Sequence, residues 1–491
     1  MSMSLRSAAV WAALAQYIGF ALQFVGSVII ARYFLDPAEV GVFTVAFSAA
    51  AIITGLQDFG INRFIVGAEQ LDDRLIRKTT TVSLTVGLGI CAVVLALSEP
   101  VAQFYGNDDL FLITVVIGLS FLFIPFSVVP LALMQRAMDF RSYAQVDIAA
   151  NFLNVAVTVT AAWAGYSSIS LAFGVFAYQA SRALFARFWH RKVPVFPVTW
   201  RDTWPIFRYG ASSGMLSFTS GIAARAPDLI IGKMISDSAL GLYSRATGLA
   251  VQFRMLVGGP IASVLYPSLA RARDRGEPLA GRYLRLTAAL CAVTWAAMAG
   301  LAAASYPLVM TLYGERWIGA APVLVWVALS QVFFIAIPMQ IEVGYMLGRW
   351  RRVIQLTLLD VAISLALLFL AAPYGIVAVA ISRVVHGAVW LCINAVFVQR
   401  MLHFRWSELA WIYVKTALCA AVAAAPLLLS YAFWIPAEDM SFPVLAALCA
   451  VGVVLWGLGL RATNHPSAAD LGSIAQEQLD RFRTVLKRPR A

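Results

Sequence analysis

About fourteen long apolar segments recur along this chain of 491 residues, and they restrict its fold more than any other feature. A membrane helix needs about twenty mostly apolar residues to cross roughly 30 Å of hydrocarbon. Because 61% of the residues are hydrophobic and only 13% are charged, a soluble core could not bury this much apolar surface. We therefore predict an all-α polytopic membrane protein with about fourteen transmembrane helices. The predicted segments lie at approximately 8–31, 40–62, 80–98, 110–134, 143–163, 168–189, 209–232, 241–266, 286–306, 320–346, 353–371, 376–399, 411–434 and 443–460.

The chain also repeats itself at a spacing of about two hundred residues. Residues 29–43, IIARYFLDPAEVGVF, return as residues 230–243, IIGKMISDSALGLY, and residues 120–125 are echoed by residues 330–338. The aligned pairs in the first match are Arg32 with Lys233, Asp36 with Asp237, and Gly41 with Gly241. We predict two six-helix repeats, inserted the same way up, that form N- and C-lobes around a central cavity, followed by two extra C-terminal helices.

The basic residues predict how the chain is oriented in the membrane. With the N-terminus inside, most of the 37 Lys and Arg residues fall on one face, so both termini are expected in the bacterial cytoplasm. The net charge of +12 is then a topology signal, and nucleic-acid binding is not expected. The predicted parts are an N-lobe at 1–190, a cytoplasmic linker at 191–208, a C-lobe at 209–400, two further helices at 401–462 and a basic cytoplasmic tail at 463–491. The tail fits either a surface helix or a disordered segment.

Four basic residues are predicted at membrane depth, where a charge is costly and faces a cavity or a partner. They are Arg225, Arg245, Arg254 and Arg383. Arg225 and Arg254 have no acid at matching depth on their own predicted hairpin, so we expect them to line a water-filled cavity that accepts an anion. The planar guanidinium suits phosphate oxygens. In the first repeat the corresponding positions are Phe24 and Thr54, which predicts that the cationic cluster belongs mainly to one lobe.

Two further interpretations of the charges in the second repeat stay open. Asp228 and Arg245 lie at similar depths on neighbouring predicted helices, so they form either an ion pair that only joins those helices or part of the site. Arg383 and His386 are expected to extend the cationic cluster of the cavity, with Asp360 as their partner, although a lone membrane histidine is more often a hydrogen-bonded packing residue.

The remaining candidates lie near the predicted membrane surfaces. Asp58 either binds a coupling cation or, as we favour, pairs with a neighbouring basic residue. Arg32 and Lys233 either line the outer mouth of the cavity or extend to the interface. No metal site and no cofactor are predicted, although coupling to a Na⁺ or H⁺ gradient is compatible with these charges. The five cysteines lie in apolar segments without metal-ligand spacing and are expected to pack.

Several motifs resemble one family of membrane proteins. They are DFGIN at 58–62, GLYSRA at 241–246, LYPSLAR at 265–271 and LYGERW at 312–317. With them the chain, from about residue 5 to about residue 430, resembles the Wzx-like polysaccharide transporter (oligosaccharide flippase) family of the MOP (MATE-like) superfamily. The resemblance implies movement of a polyprenyl-pyrophosphate-linked oligosaccharide across the inner membrane for surface polysaccharide synthesis, alongside polymerase and export components. Arg245 lies within a matching motif, so the resemblance supports that site residue directly.

Two alternatives come from other functional classes. A MATE-type cation-coupled efflux transporter shares the architecture, but cationic drugs would favour acids over arginines in the cavity. A membrane glycosyltransferase or polymerase would need a large outer loop with catalytic residues, and the predicted outer loops are short. The sequence also has no Gly-rich phosphate loop and no HExxH motif. We therefore expect a transporter and not an enzyme.

Overall fold

The computed structural model describes residues 5–54, 60–68, 71–189, 199–200 and 203–468. Within these ranges the chain is helical and contains no strand. Asp58, most of the predicted linker and most of the predicted tail lie outside the described residues. The α-helices are α1 Leu5–Tyr33, α2 Pro37–Thr54, α3 Ile61–Gly67, α4 Asp73–Tyr105, α5 Asp109–Ser120, α6 Ile124–Arg136, α7 Phe140–Trp163, α8 Ile169–Trp189, α9 Trp204–Met234, α10 Asp237–Asp274, α11 Leu279–Ala303, α12 Ser305–Leu312, α13 Ala320–Ala336, α14 Gln340–Met346, α15 Trp350–Ala371, α16 Ile376–Leu402, α17 Trp406–Phe433 and α18 Phe442–Ala462.

Each predicted apolar segment coincides with one of these helices or with a broken pair of them. Within the described ranges, eleven helices are long and apolar enough to cross a membrane. The predicted segments outside that set are α2, α9 and α10. Helix α2 is short as described, and α9 and α10 carry the charged residues predicted at membrane depth, which lowers their hydropathy. The all-helical polytopic fold is confirmed, while the count of fourteen stays a prediction.

The fourth helix of each predicted repeat is interrupted at the same place in the repeated sequence. A 3₁₀ turn at Phe121–Phe123 separates α5 from α6, and Pro125 follows at the start of α6. In the second copy, α13 ends at Ala336 before Pro338, and Met339 adopts a left-handed conformation with φ of 56°. Proline cannot continue the hydrogen-bond ladder of the preceding helix, so each copy ends one helix and starts another at the echoed residues.

Contacts divide the chain into two compact units, Met1–Ser244 and Arg245–Ala491. In the first unit α7 packs between α1 and α8, and α2 packs against α5 and α9. In the second unit α11 packs against α13 and α17, α13 against α16, and α17 against α18. The division falls later than the predicted boundary between lobes because α9 packs along α2 and thereby joins the first unit. The predicted lobe boundaries were drawn from the sequence duplication and not from contacts, so they stay a prediction.

Within the first unit the two copies of the repeated corner lie against each other. A Cβ atom added at Gly41 would come within 1.8 Å of the Asp237 carbonyl oxygen, and one added at Gly241 within 1.8 Å of the Pro37 carbonyl oxygen. The starts of α2 and α10 therefore approach so closely that each needs glycine at its contact point. Asp36 and Glu39 cap α2 reciprocally, each backbone N–H donating to the other side chain at 2.8 and 3.0 Å.

Candidate functional site

The first charged cluster lies where α2 packs on α9. Arg225 precedes the end of α9 by nine residues, about 14 Å along the axis and therefore near the middle of a membrane. Its NH1 atom lies 3.6 Å from Asp228 Oδ2, and its guanidinium lies 5.2 Å from the centre of the Phe47 ring. The Ser48 hydroxyl donates to the same Asp228 oxygen at 2.8 Å. Asp228 is thus held between a cation and a hydroxyl.

This geometry corrects one expectation about Arg225. The sequence analysis gave Arg225 no acidic partner, which is wrong, because a spacing of three residues places Asp228 on the same face of α9. Asp228 lies in the first unit and Arg245 begins the second, so the predicted pair between them stays a prediction. The Arg225 side chain remains 39% exposed, while that of Asp228 is 14% exposed.

Arg254 differs from the other membrane-depth arginines in having no partner among the described residues. It lies near the middle of α10 and of the predicted segment 241–266, about 18 to 20 Å along the axis from either end of that segment. Its Nε atom is buried and has no hydrogen-bond partner, and Arg254 forms no hydrogen bond or ion pair with any residue of the described ranges. Since a charge at this depth requires water or a counter-charge, the expectation that Arg254 faces a ligand is compatible with its surroundings.

Arg245 lies against a residue of another family motif. Its guanidinium is 5.5 Å from the centre of the Trp317 ring, a cation–π contact with a side chain that is completely buried. Arg245 belongs to the GLYSRA motif and Trp317 to the LYGERW motif. The fold therefore brings together two motifs that are separated by about seventy residues in the sequence.

Arg383 takes part in a hydrogen-bonded chain between α15 and α16. Its NH1 atom donates to Ser364 Oγ at 3.1 Å and to His386 Nδ1 at 3.3 Å, and His386 Nε2 lies 2.7 Å from Asp360 Oδ1. Arginine can only donate, so Nδ1 of His386 accepts and Nε2 carries the proton that it donates to Asp360. The predicted partnership of Asp360 with Arg383 thus runs through His386. His386 itself is buried and hydrogen-bonded, as the packing interpretation expected.

The residues predicted at the mouth have different surroundings. Lys233 donates to the Phe104 carbonyl in the last turn of α4, and its ammonium lies 4.5 Å from the centre of the Phe104 ring. A cation at this position interacts favourably with the carbonyl end of α4. Arg32 is exposed in the last turn of α1.

The sequence analysis missed a polar network between α1, α7 and α8. Asp147 Oδ1 accepts from the Tyr178 hydroxyl at 3.2 Å and lies 3.7 Å from Arg182 Nε. Asn151 donates to Asp147, and its own carbonyl oxygen accepts from Gln23 at 2.9 Å. The recurrence of Gln, Asp, Asn and Tyr within apolar segments was the sequence pattern that could have predicted this network.

The described residues give no direct sign of a bound ion. No group of three or more His, Cys, Asp or Glu side chains in these ranges is arranged to hold a metal ion. Asp58, for which coupling was the less favoured alternative to pairing with a neighbouring basic residue, lies outside the described residues. Coupling to Na⁺ or H⁺ therefore stays a hypothesis.

The apolar helices and the charges within them define a polytopic membrane protein with the architecture of a transporter. A family model described as polysaccharide biosynthesis protein matches residues 29–322, more than half of the chain. The chain belongs to this family, which confirms the resemblance found in its motifs.

Two relatives of this chain are also named for polysaccharide biosynthesis. The lipopolysaccharide biosynthesis protein WzxC of Escherichia coli (strain K12) is 28% identical over 66% of this chain and 66% of its own length, just under two thirds. The succinoglycan biosynthesis transport protein ExoT of Rhizobium meliloti (strain 1021) is 25% identical over 79% of this chain and 77% of its own length. The chain is therefore similar to proteins named for the synthesis and transport of surface polysaccharides.

Solved structures share the fold. The lipid II flippase MurJ, in an inward closed conformation, aligns with a TM-score of 0.70 over 91% of this chain and 97% of its own, at 10% identity. An outward-facing multidrug resistance MATE transporter of the MOP superfamily aligns with a TM-score of 0.54 over 81% of this chain and 95% of its own, at 15% identity. At these identities the likeness shows the fold alone, an all-helical membrane fold as the sequence predicted.

Proposed function

We propose that this protein moves polyprenyl-pyrophosphate-linked oligosaccharide units from the cytoplasmic to the periplasmic leaflet of the bacterial inner membrane, for the synthesis of a surface polysaccharide. Membership of the polysaccharide biosynthesis family and the names of WzxC and ExoT support the substrate class. The function is transport and not catalysis. Both termini would lie in the cytoplasm, as the positions of the basic residues favour.

The observation that carries the proposal is Arg254, a membrane-depth cation without a partner among the described residues. A pyrophosphate must cross roughly 30 Å of hydrocarbon, and a bare anion would pay a large desolvation cost there. An arginine that is not already paired can donate two parallel hydrogen bonds to phosphate oxygens and offset that cost. The lipid tail would meanwhile remain in the bilayer.

The other arginines suit supporting roles in the same transport. Arg225 is partly exposed although Asp228 balances its charge, so it can contact an anion while the pair stays close to neutral. Arg245 stacks on buried Trp317, which fixes the direction of its guanidinium. Movement of the head group would follow from alternating access of the two repeats, with a Na⁺ or H⁺ gradient as the source of energy. Polymerase and export components would take the delivered unit.

The proposal is tested by leaflet-resolved labelling of lipid-linked oligosaccharide in spheroplasts with and without the protein. Without it, labelled sugar should accumulate on the cytoplasmic side. We expect Arg254→Gln to slow transfer by about tenfold, the effect of losing one charge-assisted hydrogen bond, and Arg254→Lys to restore part of the rate.

The matched control is Arg351→Gln, which removes an exposed arginine that lies against Trp350 at the start of α15. It should transfer substrate at the normal rate. An unchanged leaflet distribution in the absence of the protein, together with reduced efflux of small cations, would instead support a MATE-type pump and refute the flippase proposal.

A further inference from the structure

A second cationic site lies at the turn between α10 and α11, apart from the membrane-depth arginines. Helix α10 ends at Asp274 and α11 begins at Leu279, and Gly276 makes the turn with φ of 69°. A cavity of about 610 Å³ opens there. This volume lies within the range of small-ligand sites, roughly 300–1,000 Å³. Because α11 is long and apolar enough to cross a membrane, its first turns lie near a membrane surface.

The charges around this cavity are unbalanced. Four arginines and a single acid line it: Arg271, Arg275, Arg282, Arg285 and Glu277. Glu277 lies 3.2 Å from Arg282 and 3.8 Å from Arg275, so its one negative charge is shared by two cations. Arg285 forms no hydrogen bond or ion pair with any residue in the described ranges. The cavity therefore keeps an excess of positive charge for which the described residues provide no counter-charge.

Backbone carbonyls orient two of the arginines, and a leucine forms an apolar wall of the cavity. Arg271 Nε donates to the Pro267 carbonyl at 3.1 Å, and Arg282 NH1 donates to the Ser268 carbonyl at 3.4 Å. These bonds hold two guanidinium groups in place before any ligand arrives. Leu286 lines the same cavity and packs on the hydrophobic core of the second unit. The site thus offers phosphate-binding donors beside apolar surface at the level of a lipid head group.

We propose that this cavity binds the phosphoryl head group of an anionic lipid at the membrane surface. The chemistry is shared by two sources, the pyrophosphate of a polyprenyl lipid and the phosphate of an acidic phospholipid. In either case the guanidinium N–H groups donate paired hydrogen bonds to the phosphoryl oxygens, and Leu286 contacts the first apolar atoms of the lipid. Binding at this surface requires no transport, so the proposal does not depend on the proposed function.

The test measures lipid binding to the full-length, delipidated protein in detergent by native mass spectrometry. The probes are phosphatidylglycerol, farnesyl pyrophosphate and inorganic pyrophosphate, with diacylglycerol as the uncharged reference. Arg285→Gln is compared with Arg273→Gln, which removes a neighbouring arginine that is paired with Asp274 at 2.7 Å and does not line the cavity. Both variants should have the unfolding temperature of the original protein, because both side chains are exposed.

We expect Arg285→Gln to weaken binding of the anionic lipids about tenfold and Arg273→Gln to change it less than about twofold. Tighter binding of farnesyl pyrophosphate than of phosphatidylglycerol would identify the polyprenyl source, and the reverse order would identify the phospholipid. Inorganic pyrophosphate that binds as tightly as both lipids would overturn the lipid assignment. Equal binding of every probe by the two variants would overturn the site itself, while leaving the proposed function untouched.

Discussion

The helix pairs α7–α8 and α15–α16 each place an aspartate and an arginine within apolar segments, but they connect the two charges by different hydrogen bonds. Each pair has an aspartate on its first helix and an arginine on its second, both within apolar segments. In α7–α8 the Asp147 carboxylate lies directly beside Arg182, at 3.7 Å. In α15–α16 the ring of His386 stands between Asp360 and Arg383.

The two networks differ in how strictly their hydrogen bonds depend on the position of one proton. A proton at Nδ1 of His386 instead of Nε2 would face a guanidinium that can only donate, so the hydrogen bond with Arg383 would be lost. The α7–α8 network contains no histidine, and Asp147 receives donors from Tyr178 and Asn151 as well. The second network therefore depends on a single tautomer of one imidazole ring, whereas the first has no such ring between its carboxylate and its guanidinium.

The largest expected effect comes from removing the aspartates. Asp147→Asn should destabilise the protein by about 3 kcal/mol, because Arg182 loses the carboxylate beside it within a mostly buried network. Asp360→Asn should cost only about 1 kcal/mol, since Arg383 keeps Ser364 and His386 as acceptors. Thermal unfolding in detergent measures both. The control is exposed Asp274→Asn, and equal losses at Asp147 and Asp360 would remove the distinction between the two networks.

The repeated corner provides a comparison in which the two copies should behave alike. Gly41→Ala and Gly241→Ala each place a Cβ against a backbone carbonyl, so we expect each to cost about 2 kcal/mol despite the higher helix propensity of alanine. The unfolding temperature should fall in both variants. Gly248→Ala on α10 is the matched control, because its Cβ would have nothing within 4 Å, and it should be neutral or stabilising. A fall in only one of the two variants would show that the corners are not equivalent.

A smaller effect is expected at His386. Glutamine can accept from Arg383 and donate to Asp360, so His386→Gln should keep both hydrogen bonds and keep transport near its normal rate. His386→Leu can make neither hydrogen bond, and we expect it to slow transport about fivefold, the effect of losing roughly 1 kcal/mol. Leaflet-resolved labelling measures both rates. Equal rates in the two variants would mean that His386 only packs.

The sequence could predict the helices, their repetition and the family, because apolar length and repeated motifs are local properties. It could not predict which charges meet. Arg225 and Asp228 were assigned to separate roles although a spacing of three residues on one helix brings them together. The contacts of Asp147 with Arg182, and of Arg245 with Trp317, depend on how helices distant in sequence pack. Arg254, singled out by depth and charge, has no partner among the described residues, and both its role and the cavity that it would face stay predictions.

The hairpin α17–α18, which follows both repeats, is joined just beyond the end of α18 by the hydrogen bonds of His465. Ser467 N–H donates to Nδ1 of His465 at 3.3 Å, and Thr416 already donates to the Ile412 carbonyl at 2.7 Å. Nε2 of His465 therefore carries the proton and donates to the Thr416 hydroxyl at 3.0 Å. Here the neutral ring is a structural link at the end of α18.

Burial, reinforced by nearby Lys415, lowers the pKa of His465 to about 4, from an ordinary value of about 6.5. Because the folded pKa lies below the unfolded one, the stability that His465 contributes is fully present above about pH 6.5 and is lost as the pH falls toward 4. The unfolding temperature should therefore decrease over this interval, and His465→Gln should reduce the decrease slightly. A variant that loses as much stability with acid as the original protein would show that other groups cause the decrease. In that case the hydrogen bonds of His465 would not determine how the stability of the protein depends on pH.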